Sequence, residues 1–198
     1  MTIHAAIPML DFDPDAGDTP HVFSFSTITD DRGWFVESMP AHTGDLFEVK
    51  QANTSCSRAG VFRGLHWQDG TAKYVSCVSG QIVDYVLDLR LKSKTFGCYS
   101  SVTLPGHGPA SSQVSAIFVP AGFAHGFLAE QDSVVSYLQS QPYCEETARR
   151  VNVDSPHLSQ LRASLPVKPI RSAADITAPA FDIRQAPNLL TAMEIPDV

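Results

Sequence analysis

Between Val22 and Gln139 the sequence is cut into short apolar or alternating runs: VFSFS, WFVES, GVFRGLH, KYVSCV, QIVDYVLDL, FGCYSSVTL, QVSAIFV, FAHGFLA and VVSYLQS. Gly, Pro, Asp and Ser separate them, which is the punctuation of β-strands. A spacing of roughly ten residues leaves no room for crossover helices, so a sandwich or barrel is expected, with a jelly roll leading. Helical signals are confined to a segment around Ala41 to Phe47 and to HLSQLRASL and AADITAPAF, where prolines interrupt the periodicity. The expectation is one all-β domain over the 198 residues, a length that a single core can fill. Its barrel core runs from about 22 to 140, and a tail over 141–198, carrying short peripheral helices, packs on the barrel. The acidic, turn-rich DFDPDAGDTP reads as a surface loop.

Charge narrows the function. At a net charge of −7, non-specific binding to nucleic acid or to an anionic membrane is not expected, because both need a basic face. An anionic small ligand would have to be met locally by scattered cations such as Arg32, Arg63 and Lys73. No run of 18 apolar residues occurs, and MTIHAAIPML lacks the basic and apolar blocks of a secretion signal, so a cytoplasmic location is expected. Cys56, Cys77, Cys98 and Cys144 form no C-x-x-C pair and read as buried free thiols.

Strand alternation in QIVDYVLDL puts Ile82, Asp84, Val86 and Asp88 on one face, so Asp84 sits among apolar neighbours, where a carboxylate needs a partner or water. GVFRGLHWQ brings a cation, Arg63, and an imidazole, His66, within four residues, flanked by glycines that permit a bend. In PAGFAHGF a Pro-Gly turn delivers His125 to the start of a strand. That P-x-G-x-x-H arrangement is half of the cupin metal signature. No H-x-H supplies the other half, so a metal-free barrel is the better reading, with a metal-dependent oxygenase or isomerase behind it. There is no G-x-S-x-G elbow, P-loop or G-x-G-x-x-G. His66, Lys73, the carboxylates, Tyr137 and Tyr143 together suit proton transfer, and the residues by themselves lead to a β-barrel with an acid–base pocket.

Read together, R-G-L-H-W-Q, A-K-Y-V-S-C-V-S-G, D-Y-V-L-D-L-R, S-K-T-F-G and P-A-G-F-A-H-G-F resemble the dTDP-4-dehydrorhamnose 3,5-epimerase family. D-D-R-G-W-F-V-E-S and Q-A-N-T-S extend the likeness, which runs from about residue 22 to 180. The resemblance implies a cupin-type jelly-roll homodimer that uses no cofactor and no metal, acting on dTDP-4-dehydro-6-deoxy-D-glucose. It implies His66 as general base, oriented by Asp175 in S-A-A-D. It likewise implies Lys73 beside the enolate and Tyr137 as the acid on the opposite face. It further implies substrate contacts from Arg32, Phe35 and Glu37, in a segment reaching from a neighbouring subunit, and from Gln51, Asn53, Arg63, Asp84, His125 and Tyr143. Three places depart from the family pattern: a shorter link between His66 and Lys73, no proline after Tyr143, and no charged residue before Asp175. A mono-epimerase of an antibiotic sugar, or a non-catalytic sugar-nucleotide binder on the same scaffold, are the competing readings.

Overall fold

The computed structural model describes residues 19–39, 47–108 and 114–182. The predicted helix around Ala41 to Phe47 falls almost wholly outside these residues, as does most of DFDPDAGDTP. Twelve strands are described: β1 (His21–Phe25), β2 (Ile28–Asp30), β3 (Gly33–Phe35), β4 (Gln51–Ser57), β5 (Phe62–Gln68), β6 (Lys73–Ser79), β7 (Gln81–Asp88), β8 (Tyr99–Pro105), β9 (Val114–Val119), β10 (Phe123–Ala129), β11 (Ser133–Gln139) and β12 (Ala148–Arg150). They form two five-stranded antiparallel sheets, ordered β1-β9-β6-β11-β4 and β12-β5-β10-β7-β8, with β2 and β3 as a separate hairpin. Neighbours distant in sequence are the mark of a jelly roll, the architecture expected from the strand spacing.

Each apolar face follows from strand alternation. Ile82 and Val86 of β7 meet Val75 and Cys77 of β6, Ile117 of β9 and Val135 of β11, so this face closes against the opposite sheet. The other face of the same strand, Tyr85 and Leu87, packs under the C-terminal segment against Leu158, Leu161, Leu165 and Phe181. A strand buried on both faces loses its polar alternation, which explains the nearly continuous apolar run of QIVDYVLDL. Leu158 and Leu161 are fully buried and contribute about 2 kcal/mol each toward keeping the tail on the sheet. They are delivered by a 3-10 turn (Pro156–Leu158) and α1 (Ser159–Ser164); α2 (Ala173–Ile176) follows.

Three details differ from the sequence reading. Cys77 is buried, but Cys56 and Cys98 are exposed and Cys144 lies between, all as free thiols. Cys56 shares the outward face of β4 with Ala52 and Thr54. That strand, like β12, carries too few apolar residues to announce itself, and each pairs along one side only, at a sheet edge. WFVES contributes only Trp34 and Phe35 to a strand, β3, and Ile28, Trp34 and Phe35 of the hairpin all face solvent.

Candidate active site

The site begins with an irregularity in β5. Phe127 pairs with Arg63 and His125 with His66, so three steps on β5 are matched by two on β10. On a regular strand residues three apart face opposite sides; the extra residue restores them to one side, and both Arg63 and His66 line the same cavity. Glycine makes this possible. Gly64 has φ +144°, and a Cβ there would stand 2.5 Å from the Cα of Gly126, so only hydrogen fits between the two strands.

The cavity has a volume of about 540 Å³. On its wall His66 Nε2 lies 2.5 Å from Asp175 Oδ1. Asp175 arrives from the tail: Ser172 caps α2, its hydroxyl accepting from the Asp175 amide at 3.1 Å, which fixes the turn that aims the carboxylate inward. Asn152 holds the same loop by donating to the Ile176 carbonyl. Asp175 is 5% exposed. Burial alone would raise its pKa, but the His66 hydrogen bond and charge, the Ser172 hydroxyl and the Arg150 guanidinium outweigh it, and the carboxyl stays below its usual range. An ionised Asp175 accepts Nε2–H and leaves the imidazole lone pair at Nδ1, the tautomer a general base requires.

Lys73 and Tyr137 come from the opposite sheet, whereas Asp84 and His125 come from the sheet of His66 itself. Lys73, at the start of β6, brings Nζ to 3.3 Å from the His66 carbonyl, and burial pushes its pKa down to about 8 against the opposing pull of Asp84. Asp84 is buried on β7 and accepts from His125 Nε2 at 2.7 Å. Burial raises its pKa, while His125 and Lys73 work the other way. Its Oδ1 finds no hydrogen-bond partner among the described residues. Asp84 therefore lies behind the wall, whereas His125, Lys73 and Tyr137 of β11 line it. Among the described residues no group of three or more His, Cys, Asp or Glu side chains converges to hold a metal.

Around the mouth stand Arg63, whose Nε donates to Ser57 Oγ at 2.8 Å, and Tyr143, which is 55% exposed. Gln51 and Asn53 do not line the cavity. They form a chain in which Gln51 Nε2 donates to Asn53 Oδ1, Asn53 donates to Gln139, and Gln51 accepts the Tyr143 amide at 2.6 Å. Their observed work is to anchor the segment bearing Tyr143. Arg32, Phe35 and Glu37 are exposed on or next to the hairpin, away from the cavity, with Arg32 paired to Asp30.

Sequence reasoning missed Trp67, Gln68, Arg149, Arg150 and Arg171, all of which line the cavity. Gln68 was within reach, lying two positions from His66 on one strand, and it clamps the tyrosine segment through the Pro142 carbonyl and the Cys144 amide. The Arg149–Arg150 doublet carried no signal until β12 was seen to pair with β5, which sets Arg150 opposite His66.

Residues 19–182 match the family model described as dTDP-4-dehydrorhamnose 3,5-epimerase. The chain is 38% identical over 178 residues to the dTDP-4-dehydrorhamnose 3,5-epimerase of Mycobacterium tuberculosis, covering 83% of this chain and 84% of that one. It is similar in structure to dTDP-6-deoxy-D-glucose-3,5-epimerase from Legionella pneumophila, crystallised with dTDP-4-keto-L-rhamnose, at a TM-score of 0.76 and 29% identity over 90% of this chain and 93% of that one. A 3'-monoepimerase from Streptomyces bikiniensis in complex with dTDP-quinovose aligns at a TM-score of 0.73 and 27% identity over 87% of each chain.

Proposed function

The chain belongs to the dTDP-4-dehydrorhamnose 3,5-epimerase family, and we propose that it inverts C3 and C5 of dTDP-4-dehydro-6-deoxy-D-glucose to give dTDP-4-dehydro-L-rhamnose. Both carbons flank the C4 ketone, so loss of either proton leaves an enolate with its charge on the C4 oxygen. His66 takes the proton and becomes imidazolium, supported by Asp175. The Lys73 ammonium neutralises the C4 oxygen, where a fixed charge in a water-poor cavity has most effect. The Tyr137 hydroxyl gives a proton to the opposite face and is recharged from solvent as the enolate returns to ketone. Every step is a proton transfer, so the scheme calls for no cofactor and no metal. Arg63 meets the diphosphate by charge-assisted hydrogen bonds, Tyr143 closes on the sugar from the rim, and Asp84 with His125 supports Lys73 from behind.

One observation carries this reading: His66 on one sheet is hydrogen-bonded to Asp175 of the tail, and Tyr137 and Lys73 face the same cavity from the other sheet. The enzyme works in the cytoplasm as a homodimer, with the hairpin bearing Arg32, Phe35 and Glu37 reaching a neighbouring subunit. The exposed Ile28, Trp34 and Phe35 favour such a contact, since an isolated hairpin does not leave three large apolar side chains in water without cost.

Incubation with dTDP-4-dehydro-6-deoxy-D-glucose in D₂O, followed by NMR with a ketoreductase to trap product, tests the reading. Deuterium at both C3 and C5 with an L-rhamno product is the expected result. Label at one carbon alone would replace it with mono-epimerisation, the activity named for the Streptomyces bikiniensis protein. Binding with no exchange would overturn catalysis altogether.

A further inference from the structure

We propose that Arg150 is a positioning residue for the base, supplying the permanent positive charge that keeps Asp175 ionised while His66 is still neutral; this rests on the epimerase reading above. A general base must be unprotonated before it acts. Neutral His66 gives Asp175 a hydrogen bond but no counter-charge, and a carboxylate only 5% exposed is costly without one. Among the described residues two side chains form ion pairs with Asp175, His66 at 2.5 Å and Arg150 at 3.7 Å. While His66 serves as an unprotonated base, only the second carries a charge.

The backbone fixes that arrangement. Arg150 pairs in register with His66 across β12 and β5, so the guanidinium is carried beside the dyad. The other charges around the site are engaged elsewhere. Arg171 is bound to Asp154 at 2.6 Å, and Arg149 donates to the Glu146 and Ala148 carbonyls. Arg63 donates to Ser57 and the Cys56 carbonyl, and Lys73 approaches the His66 carbonyl and is coupled to Asp84. Asp84 is hydrogen-bonded to His125, and Tyr137 faces the cavity uncharged. At 3.7 Å Arg150 is too far for a strong hydrogen bond, so it acts by charge, partly screened because its side chain is 42% exposed.

The sign of its effect follows. A cation near the dyad disfavours the imidazolium, so removing it raises the proton affinity of His66 and moves the acid limb of kcat/KM to higher pH. The test measures deuterium wash-in against pH for the unaltered protein, Arg150→Gln and Arg150→Lys. The limb should rise by about half to one pH unit in the Gln variant, a screened version of the Coulomb effect, and stay in place in the Lys variant. NMR titration of the His66 imidazole without substrate, assigned against His66→Asn, should give the same shift. A raised KM with an unmoved limb would make Arg150 a diphosphate contact and overturn the proposal. If the unaltered protein shows no exchange, the epimerase reading falls and this proposal with it; exchange with an unmoved limb removes the proposal alone.

Discussion

Lys73 should give the enzyme an alkaline limit far below that of an ordinary lysine. Burial moves its ammonium from 10.5 to about 8, and only the ammonium can neutralise an enolate. The protonated fraction is then about nine-tenths at pH 7 and about one-tenth at pH 9, so proton exchange at C3 and C5 should fall roughly tenfold between them. Wash-in rates measured over pH 6.5 to 9.5 at saturating substrate read this directly. Lys73→Arg should abolish the limb, because a guanidinium stays charged throughout. Lys73→Gln should lose about 10²- to 10³-fold at pH 7, the usual value of one donor at a developing oxyanion. Stability must move in the opposite direction. Above pH 8 the unfolded chain still binds the proton that folded Lys73 has released, so stability rises with pH, by about 1 kcal/mol between pH 8 and 9 relative to Lys73→Gln. Taking the difference from that variant cancels the Cys77 thiol, which burial raises to about 11 and which pulls the other way. An exchange rate flat to pH 9.5, or a limb that survives in Lys73→Arg, would refute the role given to Lys73.

The dyad and the strand crossing offer sharper single changes. Asp175→Asn replaces the acceptor of the His66 proton; two charges about 4 Å apart at an effective dielectric of 20 are worth about 4 kcal/mol. With His66 36% exposed, roughly half of that survives screening, and steady-state kcat should fall about 30-fold. Tyr137→Phe removes the opposite-face donor and leaves the base intact, so NMR in D₂O should find substrate relabelled in its original configuration while inverted product drops about 10²-fold. Gly64→Ala drives a Cβ to 2.5 Å from the Gly126 Cα at a φ of +144°; urea unfolding should report a loss of about 3 kcal/mol, whereas an unchanged midpoint would deny that β5 and β10 need their glycines.

The strands that lie within a sheet were legible because burial on one or both faces leaves an apolar pattern, as in QIVDYVLDL. Strands β4 and β12 were not, since between them only Ser57 is fully buried and the ladder is completed by a neighbour distant in sequence. The same difference divides the site. His66, Lys73 and Tyr137 stand in motifs that could be read along the chain, and Asp175 was reached only through the family resemblance. Arg150 and Arg171 owe their places to pairings across the fold: β12 on β5, and the Asp154 carboxylate that ties the tail together by accepting from both Arg162 and Arg171. Spacing within a chain carries no trace of such contacts. The common face of Arg63 and His66 is a related case, because it depends on the extra residue in β5, and strict alternation would have separated them.

A chain of net charge −7 nonetheless lines its cavity with Arg63, Lys73, Arg149, Arg150 and Arg171 against, among the described residues, a single carboxylate, Asp175. That local reversal of sign serves two tasks. A diphosphate arriving from solvent is drawn to the one surface where its charge is met, and the remainder of the acidic surface repels it. Once the substrate is bound, the reaction itself creates a new negative charge, on the C4 oxygen, in the same field. Catalysis needs interactions that strengthen as the enolate forms, and a half-buried ammonium does this while the exposed Arg63 at the mouth does not, because solvent screens the latter before and after proton loss alike. Binding should therefore follow Arg63 and turnover should follow Lys73, which is why a change at Arg63 is expected in KM and a change at Lys73 in kcat.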